Sequence, residues 1–200
     1  MLLSLSLILE VLLTKTRATC QSAPSASFDN GLVQIFTGEG KGKTSAALGT
    51  VVRALGHGLR VCVIVFMKGD YPYSEWSFLA SLPHVKIARF GFRTFTDPRN
   101  IKPQEKEQAN QGLATAREMM LSGNFDLVVL DEVNVVTAWK LAEVDEVIKL
   151  IRDKPTNVEL ILTGRYVDQK LIGLADLVTE CVKIKHPYDK GITARVGIDC

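Results

Sequence analysis

The chain predicts a doubly wound α/β fold on a mainly parallel sheet, and three observations carry that reading. Apolar runs of strand length alternate with helical patterns from about residue 31 onward. The central runs, RVCVIVFM (60–67) and FDLVVLDE (125–132), are almost continuously apolar, as parallel strands covered on both faces must be. The stretch LVQIFTGEGKGKTS (32–45) passes from strand to helix through a glycine-rich turn. Right-handed crossovers then put ligands at the carboxyl ends of the strands.

Each element can be justified in order. Leu32 to Phe36 is β-rich and apolar. Thr44 to Leu55 has helical periodicity and stops at Gly56 and Gly58. Residues 60–67 form the second strand, Ser74 to Ser81 a short helix and VKIARF (85–90) the third strand. The segment 91–103, GFRTFTDPRNIKP, is a loop long enough to suggest function. Gln104 to Leu121 is helical, and 125–132 is a strand ending in two acids. A helix around 143–152, the strand NVELILTG, a short helix from Asp168 to Gly173 and a final strand LVTECVKIK follow. The turn HPYDKG is expected to return the chain through ITARVGID as a C-terminal hairpin strand.

Two hundred residues suffice for one sizeable core, and a net charge of +2 demands no polyanion. With no basic aromatic stripe, a nucleic-acid role is not expected. Four cysteines, Cys20, Cys62, Cys181 and Cys200, show no C-x-x-C spacing, and Cys62 and Cys181 lie in apolar runs, so buried free thiols are expected. His57, His84 and His186 lack metal-ligand spacing. Residues 1–30 read as an apolar segment, MLLSLSLILEVLL, plus a Ser/Ala-rich linker, ahead of a domain spanning 31–200. The apolar run is short for a bilayer, Glu10 interrupts it, and its basic residues follow it. A packing helix, a membrane-associated segment and translation upstream of the true start all remain readings, the first and third preferred, with no stable membrane insertion.

The strongest chemical signal is the turn between Thr37 and Thr44. Gly38, Gly40 and Gly42 let backbone N–H groups converge on phosphate oxygens with no Cβ in the way. The helix N-terminus adds partial positive charge. Lys43 would neutralise phosphate, and the Thr44 hydroxyl would ligate Mg²⁺. The usual pattern is G-x-x-x-x-G-K-[ST], and here Thr37 stands at its first position. The second signal is LVVLDE, with Asp131 and Glu132 at the end of a buried strand. Mg²⁺ takes few protein ligands and bridges phosphates, so one such carboxylate with Thr44 would suit it, Glu132 being preferred and Asp131 close behind.

In order along the chain, TGEGKGKT, RALGHG, VIVFMKG, VVLDE, LTGR and KHPYDKGITARVGID together resemble the ATP-dependent corrinoid adenosyltransferases, a family with a RecA-like P-loop fold. The resemblance covers about Gly31 to Cys200, and a loop beginning with Thr is the family's own form. It implies transfer of the adenosyl group of ATP to the Co(I) of a reduced corrinoid, with release of triphosphate, in adenosylcobalamin biosynthesis or salvage. It places the nucleotide on Thr37, Gly38, Glu39, Gly40, Lys41, Gly42, Lys43 and Thr44, with Mg²⁺ (or Mn²⁺) at Thr44, Glu132 and Asp131. Lys43, Lys41 and Arg53 would stabilise the departing triphosphate. Gly91-Phe92 matches a family motif that excludes a lower axial ligand from cobalt, and Phe95 stands one residue from the family's tryptophan. An electron donor such as a reduced flavoprotein, a cytoplasmic location and, since the family is often dimeric, a homodimer are further implications. Another P-loop ATPase or kinase would explain both phosphate motifs but not the tail, and a non-catalytic module binding ATP or corrinoid would use the same residues.

Overall fold

The computed structural model describes residues 29–69 and 73–199. The expectations for residues 1–28, and for Cys20 and Cys200, lie outside the described residues. Six strands, β1 (Val33–Thr37), β2 (Val61–Val65), β3 (Val85–Arg89), β4 (Leu127–Asp131), β5 (Glu159–Thr163) and β6 (Leu177–Glu180), form one sheet in the order β3-β2-β4-β5-β1-β6. Every pairing is parallel. The helices are α1 (Lys43–Gly56), α2 (Ser74–Ala80), α3 (Pro103–Leu121), α4 (Val133–Ala138), α5 (Val144–Arg152) and α6 (Gln169–Ile172).

The period-2 alternation of each strand divides the core between two faces. Val61, Val63, Val65, Leu127 and Val129 join a cluster with Ala47, Val51 and Ala54 of α1 and Trp76 and Leu79 of α2. Cys62, Ile64, Val128, Leu130, Leu160 and Leu162 point the other way, onto Leu113, Ala116 and Met120 of α3 and Val147, Ile148 and Ile151 of α5. Strands β2, β4 and β5 are buried at every residue, which is why β2 and β4 read as nearly continuous apolar runs. Burying one such Val, Leu or Ile side chain contributes about 1.5–3 kcal/mol. At the amino end of the sheet Asp126 accepts hydrogen bonds from the Arg60 backbone N–H (2.8 Å) and guanidinium (2.7 Å), tying β4 to the start of β2.

The C-terminal hairpin is not formed. Strand β6 ends at Glu180, Pro187–Lys190 is a single 3₁₀ turn, and among the described residues 191–199 contain no strand. The reason lies beside the glycine-rich turn. The Cys181 N–H donates to Thr37 O (2.8 Å) and the Gly40 N–H donates to Cys181 O (2.6 Å). These bonds prolong the β1–β6 pairing onto the turn, and Lys41 of that turn holds the last residues by donating to Ile198 O (2.8 Å) and pairing with Asp199, so that they do not lie back along β6. The short helix α4, directly after the paired acids, is an element the sequence reading did not separate from its surroundings.

Candidate active site

All six strands run the same way, so their carboxyl ends share one edge, and the chemistry gathers there. The turn after β1 approaches residues 181 and 182 so closely that an added Cβ would lie 2.6 Å from Cys181 O at Gly38 and 2.7 Å from it at Gly40. Gly38 also has φ +98°. The spacing of these glycines is therefore a packing requirement as well as an opening for phosphate. Helix α1 begins at Lys43, so its first N–H groups face this turn with no side-chain cap. The Lys43 ammonium folds back to donate to Gly40 O at 2.7 Å. Burial, and then the nearby charge of Arg165, lower the Lys43 pKa from its ordinary value, against the opposing carboxylates of Glu132 and Glu39.

Asp131, wholly buried, is the hub of the site. Its Oδ1 accepts from Thr44 Oγ1 and from Thr163 Oγ1, both at 2.8 Å. Its Oδ2 accepts from Lys68 Nζ at 2.9 Å. Thr163 Oγ1 in turn accepts from the Glu132 N–H at 2.9 Å. Strand alternation would send adjacent acids to opposite faces. Glu132 avoids that because its backbone is left-handed, φ 67°, immediately after β4. Its carboxylate then lies 3.3 Å from the same Lys68 ammonium. Burial works against the Lys68 charge, but the two acids outweigh it and raise its pKa above the ordinary lysine value.

These groups open onto a cleft of about 750 Å³. Lys43, Thr44, Lys68, Glu132 and Arg165 line it on the strand side, and His186, Tyr188, Ile192 and Asp199 line it on the tail side. Lys41 does not point at the turn's interior. It donates to Ile198 O (2.8 Å) and pairs with Asp199, which Arg195 Nε also holds at 2.8 Å. These bonds hold the Asp199 carboxyl well below the usual carboxylate range, the Arg195 hydrogen bond contributing most.

Of the turn, residues 40–44 line the cleft beside Glu132, with Asp131 behind Thr44, while Thr37 and Gly38 pack against Cys181 and Glu39 lies 3.5 Å from Arg165. Arg53 is not brought to the cleft. It sits exposed in the last turn of α1, ten residues past Lys43, and a helical rise of about 1.5 Å per residue carries it roughly 15 Å away. Phe92 and Phe95 also stand apart from this cleft. Phe92 borders a separate small pocket with Met67 and Phe90, and Phe95 is 83% exposed on the loop beyond β3. Lys68, Thr163 and Arg165 were not picked out from sequence. Each stands at or just beyond the end of a buried strand, in VIVFMKG or LTGR, and that shared position is the signal that would have found them.

The donor set fits a hard divalent cation. Glu132 offers a partly exposed carboxylate, and Thr44 gives its hydroxyl hydrogen to Asp131, which leaves its oxygen lone pairs free. Among the described residues no group of three or more His, Cys, Asp or Glu side chains could hold a metal. A cation here would need phosphate oxygens and water as well, which is how Mg²⁺ is commonly bound.

A parallel sheet, a glycine-rich turn into a helix and acids at the end of a neighbouring strand define a P-loop α/β protein. The comparisons narrow this further. A family profile described as ATP:corrinoid adenosyltransferase BtuR/CobO/CobP matches residues 29–200. The chain is 34% identical to the corrinoid adenosyltransferase of Escherichia coli K12 over 174 residues, covering 87% of this chain and 88% of that one. It is 36% identical over 177 residues to the corrinoid adenosyltransferase CobA of Salmonella typhimurium LT2, with the same coverage. It is 32% identical to the Pseudomonas aeruginosa corrinoid adenosyltransferase over 171 residues, 86% of this chain and 84% of that one. The chain belongs to the ATP:corrinoid adenosyltransferase family and is a transferase.

Proposed function

We propose that this cleft binds ATP by its triphosphate and presents the ribose 5′ carbon to the Co(I) of a reduced corrinoid. Co(I) attacks that carbon with its electron pair, the cobalt–carbon bond forms, and the carbon–oxygen bond breaks to release triphosphate. The observation that carries the reading is the tail wall. The phosphate turn faces a cleft closed on its far side by Pro187, Tyr188 and Ile192, an apolar and aromatic surface suited to a second, organic substrate.

The leaving group gains charge in the transition state, so fixed cations and N–H groups at the triphosphate lower the barrier. Lys43, the turn's N–H groups and Arg165 take that role. Lys41 contributes to the electrostatics of the turn while anchored to the tail. Thr37, Gly38, Glu39, Gly40 and Gly42 shape the cradle. Thr44 and Glu132 hold Mg²⁺ (or Mn²⁺), with Asp131 fixing Thr44 from behind. When bound, the cation supplies charge stabilisation on the triphosphate. No general base is required, because the nucleophile arrives deprotonated and positioning does the rest.

Cobalt reaches Co(I) only by accepting an electron, so a donor such as a reduced flavoprotein belongs to this reading. Phe92 and Phe95 are assigned to the corrinoid side, where an apolar ring below cobalt would disfavour an axial water. Homodimer assembly has a candidate edge in β6 and the residues after it, where Leu177, Val178, Val182 and Ile184 are exposed. Among the described residues no helix is long and apolar enough to cross a membrane, and a cytoplasmic location is part of the proposal. The test is an anaerobic assay with ATP, Mg²⁺ and chemically reduced corrinoid. Growth of the cobalt–carbon visible spectrum with stoichiometric triphosphate is expected. ADP as the product would instead make the chain a phosphoryl-transferring P-loop enzyme.

A further inference from the structure

Two adjacent carboxylates beside a phosphate turn would draw any divalent cation out of solution. The structure places an ammonium between them. Lys68 Nζ lies 2.9 Å from Asp131, 3.3 Å from Glu132 and 5.5 Å from the centre of the Tyr73 ring. Neighbouring strands β2 and β4 set this up, with Val65 opposite Asp131 in the register. Just beyond their ends, Met67 (φ 61°) and Glu132 (φ 67°) both adopt the left-handed backbone that residues with a side chain avoid. Those two turns bring Lys68 and Glu132 to one point, and backbone strain of this kind persists where the surroundings demand the geometry.

We propose that Lys68 is a resident counter-cation that keeps the Asp131–Glu132 pair closed to free divalent metal, so that metal enters only as its complex with a triphosphate. This rests on the metal reading of those acids given above. A bare ion would meet an ammonium already balancing one of the two negative charges, and too few protein ligands to replace its waters. A metal–nucleotide complex brings its own oxygen ligands. It also brings anionic phosphates into the cleft that Lys68 lines, giving the ammonium a second partner. Without nucleotide, Lys68 rather than a metal ion therefore balances the two acids.

The test is Mn²⁺ held by the protein, read as the Mn²⁺ retained above an ultrafiltration membrane that passes free ATP and its Mn²⁺ complex, with and without ATP and in the absence of corrinoid. Wild type, K68R, K68Q and K68M are compared, with folding checked by circular dichroism. Wild type and K68R should hold Mn²⁺ only together with ATP. K68Q and K68M should bind Mn²⁺ without nucleotide at least about tenfold more tightly than wild type. Equal Mn²⁺ binding by wild type with and without ATP would overturn the proposal. So would folded neutral variants with no gain in affinity for free Mn²⁺, and so would loss of fold in both, since Lys68 would then be a structural ion pair. If wild type bound ATP but retained no Mn²⁺ with it, the metal reading of the acids would fall as well. Normal Mn²⁺–ATP binding beside unaltered free-Mn²⁺ affinity in the variants would sink the Lys68 assignment alone.

Discussion

The two walls of the cleft are built on different principles. On the strand side, Asp131 is buried and fully engaged, with Thr44, Thr163 and Lys68 all donating to it. On the tail side, residues 181–199 are mostly exposed and have little apolar anchorage. They are held by the Cys181 bonds to the phosphate turn and by the Lys41–Asp199–Arg195 cluster. One wall is organised before any ligand arrives. The other has few buried contacts, and segments of that kind occupy the low-stability end of a fold. Transition-state charge is best met by the rigid wall, and a bulky second substrate is best admitted past the yielding one.

The largest effect is expected where the rigid wall meets the triphosphate. Lys43→Ala should lower turnover on the order of 10²–10³-fold while the protein keeps its circular dichroism spectrum. Near-normal activity in a folded variant would remove Lys43 from the phosphate site. The next effect separates the two acids. Asp131→Asn takes the charge from a wholly buried carboxylate that Thr44, Thr163 and Lys68 all donate to, leaves Lys68 only Glu132 as a charged partner, and should cost roughly 3 kcal/mol of stability, read by denaturant titration. Glu132→Gln should cost under about 1 kcal/mol, because its carboxylate is partly exposed, yet raise the Mg²⁺ concentration needed for half-maximal activity more than Asp131→Asn does. The reverse order in the Mg²⁺ titration would move the direct metal contact to Asp131.

The yielding wall predicts smaller changes. Asp199→Asn removes the partner of Lys41 and Arg195, so amide exchange across 192–199 should quicken with no resolvable change in melting temperature. ATP affinity should stay within about fivefold of wild type. A large drop in melting temperature would mean that the tail is as integral to the fold as β4.

The cysteines give the finest contrast. Cys62, buried in β2, has its thiol pushed up to about 12 by burial, whereas Cys181 at the start of the tail is only half-buried. Mass mapping after iodoacetamide should find Cys181 modified in the native protein and Cys62 only after unfolding. Because the folded-state value of Cys62 lies above its ordinary value of 9.0, its contribution to stability is full below about pH 9 and fades as the pH rises towards about 12. Cys62→Ala should therefore show a shallower alkaline loss of stability than wild type.

What the sequence determined by itself was whatever is contiguous or periodic. Nearly continuous apolar runs bounded by turn residues revealed β2 and β4, since a strand buried on both faces has no polar side to show. The phosphate turn was legible because strand, glycines, Lys43, Thr44 and helix follow one another in the chain. The tertiary structure alone decided the rest. Lys68 reaches Asp131 across 63 residues, and Lys41 reaches Asp199 across 158. The left-handed backbone at Glu132 reverses what strand alternation would dictate for two neighbouring acids. In place of the expected C-terminal hairpin, the tail is held to the phosphate turn by Lys41, through Ile198 and Asp199. Arg53, expected at the phosphates from the resemblance, stands in the last turn of α1, a position set by the length of that helix. Local periodicity records which face of an element is buried. Which distant charges meet at the ends of those elements depends on strand order, and strand order is set by the packing of the whole sheet.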